Sequence, residues 1–246
     1  AGNIGSTQSQ GVEITLNTVN IVTKDFEWDT TLTLSHYNDR WLKRDPNWKP
    51  RAYEKEDDPI RAWWEYEAIG ILQPGEKAPD AQKDLVPGMM KLKDRDGNGV
   101  LGDEDKVYMG NGDPKIIYGL NNSFRYKNFD LNAFFVYAGG NKLRNSVLKM
   151  DDQLGTQTLK GIANRWTADD SNAQVRMYLD IPAQVKTYAS TFQDWWQYGD
   201  INVKDAGYVK LRSLSVGYNL PFTVCQHLRL SSLKVKVQVN NLFTWC

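Results

Sequence analysis

The 246-residue sequence has few cysteines and histidines, no excess of either charge and no long apolar run. Its two cysteines, Cys225 and Cys246, are too few for a disulfide-built scaffold or a cysteine-based zinc site. The 30 basic and 30 acidic residues cancel, which argues against a nucleic-acid partner because phosphates favour a basic surface. No window approaches the roughly 18 consecutive apolar residues of a membrane-spanning helix, so the sequence predicts no such helix.

The sequence also lacks the residue groupings that common enzymes use. Its only histidines, His36 and His227, fall on separate predicted hairpins. No pair of carboxylates is placed by its spacing to act as acid and base, and no phosphate-binding loop, nucleophile elbow or zinc motif occurs. We therefore expect a protein that is not an enzyme.

Six segments alternate apolar and polar residues with a period of two, which predicts strands with one apolar and one polar face. The mean hydropathy of -0.57 does not exclude a membrane wall, in which only alternate residues face lipid. Asn122 interrupts the third apolar series. The apolar positions are Val12, Ile14 and Leu16; Phe26, Trp28, Leu32 and Leu34; Tyr118, Leu120, Phe124 and Tyr126; Phe129, Leu131, Ala133, Phe135 and Tyr137; Leu214, Val216, Tyr218 and Leu220; Leu233, Val235, Val237 and Val239.

The connections between these strands are alternately short and very long. Tight turns join the first two pairs and a modest turn joins the third, whereas residues 38–115 and 140–206 form long excursions. Such loops are uncommon in compact domains but typical of one side of outer-membrane barrels. The sequence therefore predicts an all-β fold, an antiparallel transmembrane β-barrel segment with long extracellular loops. A soluble β-sandwich explains the alternation equally well but the loop lengths poorly.

An ordered series of short motifs along nearly the whole chain resembles the C-terminal region of SusC/RagA-like TonB-dependent transporters. Their order and spacing carry the resemblance. The motifs are Asn3-Ile4-Gly5, Gly11-Val12-Glu13, the loop from Asp94 to Asp105, Tyr108-Met109-Gly110, Asp113-Pro114, Tyr118-Gly119-Leu120-Asn121-Asn122, Tyr126-Lys127-Asn128-Phe129-Asp130-Leu131, Asn164-Arg165-Trp166-Thr167, Val203-Lys204-Asp205-Ala206-Gly207-Tyr208-Val209-Lys210-Leu211-Arg212, Gly217-Tyr218-Asn219-Leu220-Pro221 and Asn240-Asn241-Leu242-Phe243.

The resemblance implies that residues 1–246 are the C-terminal portion of a barrel of about 22 strands, embedded in outer-membrane lipid. Six strands are too few to close a barrel, and we expect the plug domain and the final strand to lie outside this chain. The resemblance also implies import of oligosaccharides or peptides with a SusD-like lipoprotein cap, driven by TonB through the missing N-terminal part. Loops 38–115 and 140–206 would be extracellular and the short turns periplasmic.

Two other functional classes remain open. One is a secreted, calcium-stabilised β-sandwich that binds glycans. The other is a barrel for surface display or assembly that transports nothing.

The sharpest local motif is the acidic segment 94–105. As a calcium loop, it has Asp94, Asp96 and Asn98 at ligand positions one, three and five, the Val100 carbonyl at seven and Asp105 at twelve. Calcium needs several hard oxygen ligands, and this spacing converges them on one point. We expect a structural Ca2+ ion. A solvated acidic turn without metal is the alternative, because Asp-Gly and Asn-Gly pairs favour turns.

Tryptophans are concentrated in the two long loops. Their exposed rings would suit contact with a glycan, whereas packing within the loops or against a lipoprotein cap is the favoured interpretation. These residues are Trp41, Trp48, Trp63 and Trp64 in the first loop and Trp195 and Trp196 in the second.

Overall fold

The computed structural model describes residues 5–145, 166–167 and 199–246. The chain divides into a sheet unit (7–40, 113–141 and 205–246) and a loop unit (1–6, 41–112 and 142–204). None of the helices in the described residues is long and apolar enough to cross a membrane. The strands are β1 (Ser6–Val22), β2 (Phe26–Lys43), β3 (Ala62–Tyr66), β4 (Ala68–Ile71), β5 (Met90–Leu92), β6 (Lys106–Asn111), β7 (Ile116–Tyr126), β8 (Phe129–Gly139), β9 (Lys142–Arg144), β10 (Val203–Asp205), β11 (Tyr208–Asn219) and β12 (Lys234–Trp245). The helices among the described residues are the 3-10 turns Asp80–Gln82, Asp103–Asp105 and Asp200–Asn202, and the α-helix Phe222–His227.

The sheet unit contains one six-stranded sheet in the order β1-β2-β7-β8-β11-β12. The pairs β2–β7, β7–β8, β8–β11 and β11–β12 are all antiparallel. The short turn of each hairpin therefore lies at one end of the strands, and the long segments leave from the other end. The prediction of an all-β, antiparallel fold is confirmed.

The predicted alternation of faces holds across the sheet. One row joins four aromatic residues on neighbouring strands, in the order Phe26, Tyr126, Phe129 and Tyr218. Strand β11 keeps its apolar side chains on this face only because a bulge around Arg212 shifts its phase. A bulge adds one residue and so reverses the face of every residue beyond it.

Asn122, which interrupts the apolar series, lies on the apolar face and is hydrogen-bonded there. Its Oδ1 accepts bonds from Trp28 Nε1 at 3.1 Å and from Thr30 Oγ1 at 2.9 Å. Asn20 Nδ2 in turn donates to Thr30 Oγ1 at 2.7 Å. The amide oxygen therefore has partners from β2, which lowers the cost of placing a polar group on an apolar face.

The first two strands are longer than predicted. β1 and β2 have 17 and 18 residues, so β2 ends at Lys43 rather than near Asn38. Backbone pairing continues wherever N–H and C=O groups meet, whatever the side chains, so alternation alone underestimates strand length. The segment that follows also contains four short strands, β3 to β6, that the sequence pattern did not predict.

The described part of the loop unit includes two small antiparallel pairs, β3 with β6 and β4 with β5. Their buried side chains form a compact apolar cluster, and Trp166 Nε1 donates to Gln73 Oε1 at 3.0 Å beside it. The cluster consists of Tyr66, Ile71, Met90, Leu92 and Trp166. This unit therefore has a core of its own.

We predict that Leu92→Ala destabilises the loop unit by about 2–5 kcal/mol, because it leaves a cavity in this core. Leu92 is 1% exposed, whereas Leu143 in the same unit is 58% exposed. Leu143→Ala is therefore the matched control, with an expected change within about 0.5 kcal/mol. Urea-dependent pulse proteolysis of the loops measures the free energy of unfolding of both variants. Equal decreases for Leu92→Ala and Leu143→Ala would contradict the assignment of the core.

Candidate metal loop and aromatic contacts

The 94–105 loop brings three of its predicted ligands together. Carboxylate oxygens of Asp94, Asp96 and Asp105 all lie within 4.8 Å of one another. Asp105 is fully buried, Asp94 half-buried and Asp96 exposed. Asp105 ends the 3-10 turn that leads directly into β6, so the loop is attached to the β3–β6 pair. These oxygen donors suit calcium, which prefers carboxylate and carbonyl ligands.

Two glycines shape the turn around Asp94. Gly97 and Gly99 have φ of 74° and 82°, a region that side chains with a Cβ rarely adopt. Their N–H groups donate to the Asp94 carboxylate at 2.7 and 2.8 Å. Donation from Gly99, the larger effect, holds the pKa of the Asp94 carboxyl below its ordinary value. The stabilisation from this carboxylate is thus present at neutral pH and is lost as pH falls through the lowered pKa.

Asn98 and Val100 also take part in the loop's internal bonding. Asn98 Nδ2 donates to Asp96 Oδ2 at 2.7 Å, and Asn98 Oδ1 accepts a bond from the Val100 N–H at 2.8 Å. The buried Asp105 carboxylate accepts bonds from the Arg95 and Gly102 N–H groups at 2.7 and 2.8 Å. The loop thus has hydrogen bonds of its own, which is also what a metal-free acidic turn requires.

Trp41 and Trp48 both contact the Arg44 side chain. Its guanidinium carbon lies 4.7 Å from the Trp41 ring centroid and 4.5 Å from that of Trp48. Arg44 also donates to the backbone carbonyls of Glu56 and Lys55 at 3.2 and 3.1 Å. A guanidinium stacked on indole faces is an attractive contact that joins segments of a loop. These contacts favour the packing interpretation for both tryptophans.

Trp64 belongs to an aromatic row on the β3–β6 pair. Its ring centroid lies 5.3 Å from that of Tyr53 and 5.4 Å from that of Tyr108, its cross-strand partner. Lys106 Nζ lies 5.0 Å from the Tyr53 ring and 5.2 Å from the Tyr66 ring. Trp64 therefore packs between two tyrosines, which again favours a structural role.

Of the remaining predicted contact residues, only Trp63 lies in the described part of the chain. Trp63 has a buried Nε1 without a hydrogen-bond partner in this part of the chain. Trp195 and Trp196 lie outside the described residues. His36 Nδ1 lies 2.9 Å from the Lys115 carbonyl, whereas His227 Nδ1 lies 2.8 Å from that of Thr223.

Comparisons with known proteins agree with the fold described above. The chain is 28% identical over 99% of its length to "TonB-dependent receptor P3" of Formosa agariphila. It is 27% identical over 52% of its length to "TonB-dependent receptor SusC" of Bacteroides thetaiotaomicron. The solved "RagAB peptide transporter" superposes over 99% of the chain with a TM-score of 0.74 and 18% sequence identity. No family model matches the chain.

The resemblance to SusC/RagA-like TonB-dependent transporters is confirmed. The chain spans 25% of the length of the Formosa receptor, 13% of SusC and 26% of the RagAB chain. These relatives are named as receptors and transporters, which agrees with the expectation that the protein is not an enzyme.

We predict that Asp105→Asn destabilises the loop by roughly 1–3 kcal/mol, because each carboxylate oxygen accepts one backbone N–H group and the amide nitrogen that replaces one of these oxygens cannot accept a bond. The control is Asp103→Asn, whose side chain is 41% exposed and bonded to Lys106 at 2.8 Å. Loss of an exposed ion pair costs at most about 1 kcal/mol. Hydrogen exchange at the Arg95 and Gly102 amides, measured without added metal, compares the stability of the loop in the two variants. Equal protection in the two variants would contradict it.

Proposed function

We propose that this chain forms part of the wall of a TonB-dependent outer-membrane importer, with its apolar sheet face toward lipid. The single observation that carries this proposal is an apolar face lined by aromatic rings at both ends. At the turn end the row runs from Phe26 to Tyr218. At the other end Tyr118 and Tyr137 stack with centroids 5.5 Å apart. Aromatic girdles on both sides of an apolar band are typical of outer-membrane barrels.

The distance between the two aromatic rows is close to the height of the apolar band on an outer-membrane barrel. Eight residues separate Tyr126 from Tyr118 on β7, which corresponds to about 26 Å along a strand. At a tilt of roughly 40° the rows are about 20 Å apart along the membrane normal, close to the ~25 Å apolar band of such barrels.

The two faces of the sheet differ in chemistry as a membrane wall requires. Val216 and Val237, which pair on β11 and β12, remain 48% and 65% exposed on the apolar face. The opposite face carries ion pairs, including one between Asp130 and Lys234 at 2.6 Å. A β-sandwich would cover its apolar face with a second sheet, and the described part of the sheet unit holds a single sheet.

By analogy with its relatives, the complete protein imports oligosaccharides or peptides together with a SusD-like lipoprotein, using energy from TonB. The short turns then face the periplasm and the long loops face outward. The names of the relatives, which include SusC and the RagAB peptide transporter, support this proposal.

Spin labels on the adjacent residues Leu32 and Thr33 test whether the apolar face of the sheet contacts lipid, because these residues point to opposite faces of β2. In the complete protein reconstituted in lipid, we expect a nitroxide at Leu32→Cys to be reached by oxygen but not by a water-soluble nickel complex. We expect the nickel complex to reach a nitroxide at Thr33→Cys. A Leu32 label reached by neither reagent, in a protein that stays monodisperse without detergent, would support the sandwich instead.

We further propose that the 94–105 loop binds one structural Ca2+ through Asp94, Asp96, Asn98, the Val100 carbonyl and Asp105. The convergence of the three aspartates and the oxygen-only donor set support this. Bound calcium would offset the repulsion between the three clustered carboxylates.

Calorimetric titration with calcium tests this site. We expect the heat of binding of the complete protein to disappear in the Asp94→Ala, Asp96→Ala variant, because two ligands are removed. Asp80→Asn is the control, since this carboxylate lies outside the cluster and bonds to Lys77. Heats that are unchanged in the double variant would exclude the loop as the binding site.

A further inference from the structure

An open groove of about 500 Å3 lies between β1 and β2 in the sheet unit, near the start of β1 and the end of β2. Most of its polar lining residues stand an even number of positions from Val12 or Leu34 on their own strands. Alternation therefore places them on the apolar face of the sheet, beyond its last apolar side chains. These residues are Gln8, Gln10, His36, Asn38 and Arg40.

The groove begins just beyond the aromatic row at Tyr118. Leu34 pairs with Tyr118, and His36 is two residues further along β2. At about 3.4 Å per residue and a tilt of roughly 40°, His36 lies about 5 Å and Asn38 about 10 Å beyond this row along the membrane normal. The headgroup region adds about 5–8 Å to each side of the hydrocarbon core of a bilayer. On the proposed wall, the groove therefore lies at the depth of lipid headgroups.

The exposed side chain of Arg40 provides the positive charge of the groove. Its Nε donates to Gln8 Oε1 at 3.0 Å, and its two terminal amino groups have no partner among the described residues. Because arginine only donates, this bond turns the Gln8 oxygen toward Arg40 and leaves the Gln8 amide nitrogen free to donate elsewhere. A guanidinium with both amino groups free suits phosphate, whose oxygens accept paired bonds from arginine.

Two further amides add donors beside this cation. Gln10 and Asn38 are exposed, and their side chains have no hydrogen-bond partner among the described residues. Asp39, the one carboxylate among the described lining residues, belongs by alternation to the other face of β2 and has an interaction of its own within the protein. On the face of Arg40, the groove therefore combines a cation with amide donors, which is complementary to an anion.

The groove is continuous with an exposed apolar strip on β1. Val12 lines the groove and is 60% exposed, and Ile14 and Leu16 follow on the same face, each 52% exposed. Donors next to an apolar strip match a lipid, in which a phosphate headgroup is joined to acyl chains. A free phosphate ion would use the donors alone.

We propose that this groove binds a membrane lipid with an anionic phosphate headgroup. The phosphate is bonded to Arg40 and to the amide groups of Gln8 and Gln10, and an acyl chain lies along Val12 and Ile14. The inference rests on the proposed importer function, because that function places this face of the sheet in lipid.

Native mass spectrometry of the complete protein, released from lipid nanodiscs, tests the groove. The nanodiscs contain phosphatidylcholine and an increasing share of phosphatidic acid, whose phosphate is terminal. We expect Arg40→Gln to lower the apparent affinity for phosphatidic acid by about tenfold, because it removes a charged, two-pronged donor. Arg125→Gln is the matched control and should leave this affinity unchanged, because Arg125 lies on the other face of the sheet and is paired with Glu27.

A second variant changes a donor without touching the bond between Arg40 and Gln8. Gln10→Leu removes one amide from the groove, and we expect the affinity for phosphatidic acid to fall by about threefold. Inorganic phosphate, added in large excess, should not displace the lipid, because it cannot use the apolar strip at Val12.

Three outcomes would overturn the proposal. Equal affinities of the unmodified protein and Arg40→Gln would show that the groove does not bind the phosphate. An equal loss in Arg125→Gln would show that only the total charge of the protein matters. Displacement by inorganic phosphate would assign the groove to a free anion. If the Leu32 label is nevertheless buried in lipid, the importer wall stands and only this inference fails.

Discussion

Antiparallel backbone pairing is the constraint on which the sheet unit depends. Each inner strand satisfies its N–H and C=O groups through the strands on either side, and the extended backbone sends successive side chains to opposite faces. Once register is set, the aromatic row from Phe26 to Tyr218 and the row of Asn121, Phe134 and Ser213 follow directly. The apolar face and the polar face of the sheet are thus two results of one hydrogen-bond pattern.

The loop unit relies on a different balance of forces. Its apolar core is small, so polar contacts between loop segments contribute much of its order. Arg44 connects two tryptophans to backbone carbonyls, and Asp105 holds two N–H groups of the acidic loop. Each of these groups is charged and partly or fully buried, which makes its hydrogen bonds strong and its removal costly.

Much of this arrangement could be predicted because period-two alternation is local information. The faces of β2, β7, β8 and β12 follow from it, and the convergence of Asp94, Asp96 and Asp105 follows from spacing within one short loop. The role of Arg44 could not be predicted, because cationic residues are common in loops and nothing local marks one that lies between two rings. The bulge at Arg212 was not predicted either. Its signal in the sequence is that Leu211 and Leu214 lie an odd number of residues apart although both belong to the apolar face.

The sequence by itself determined the approximate positions of the six long strands of the sheet unit, which side of each of them is apolar, and the family that the chain resembles. Only the tertiary structure decided which rows the strands form. It showed that Asn122 on the apolar face has partners from Trp28 and Thr30, and that Phe134 lies over Gly119 on the polar face. Alternation sets the face of a residue, but its neighbours across strands depend on register, which is set by pairing between segments far apart in sequence.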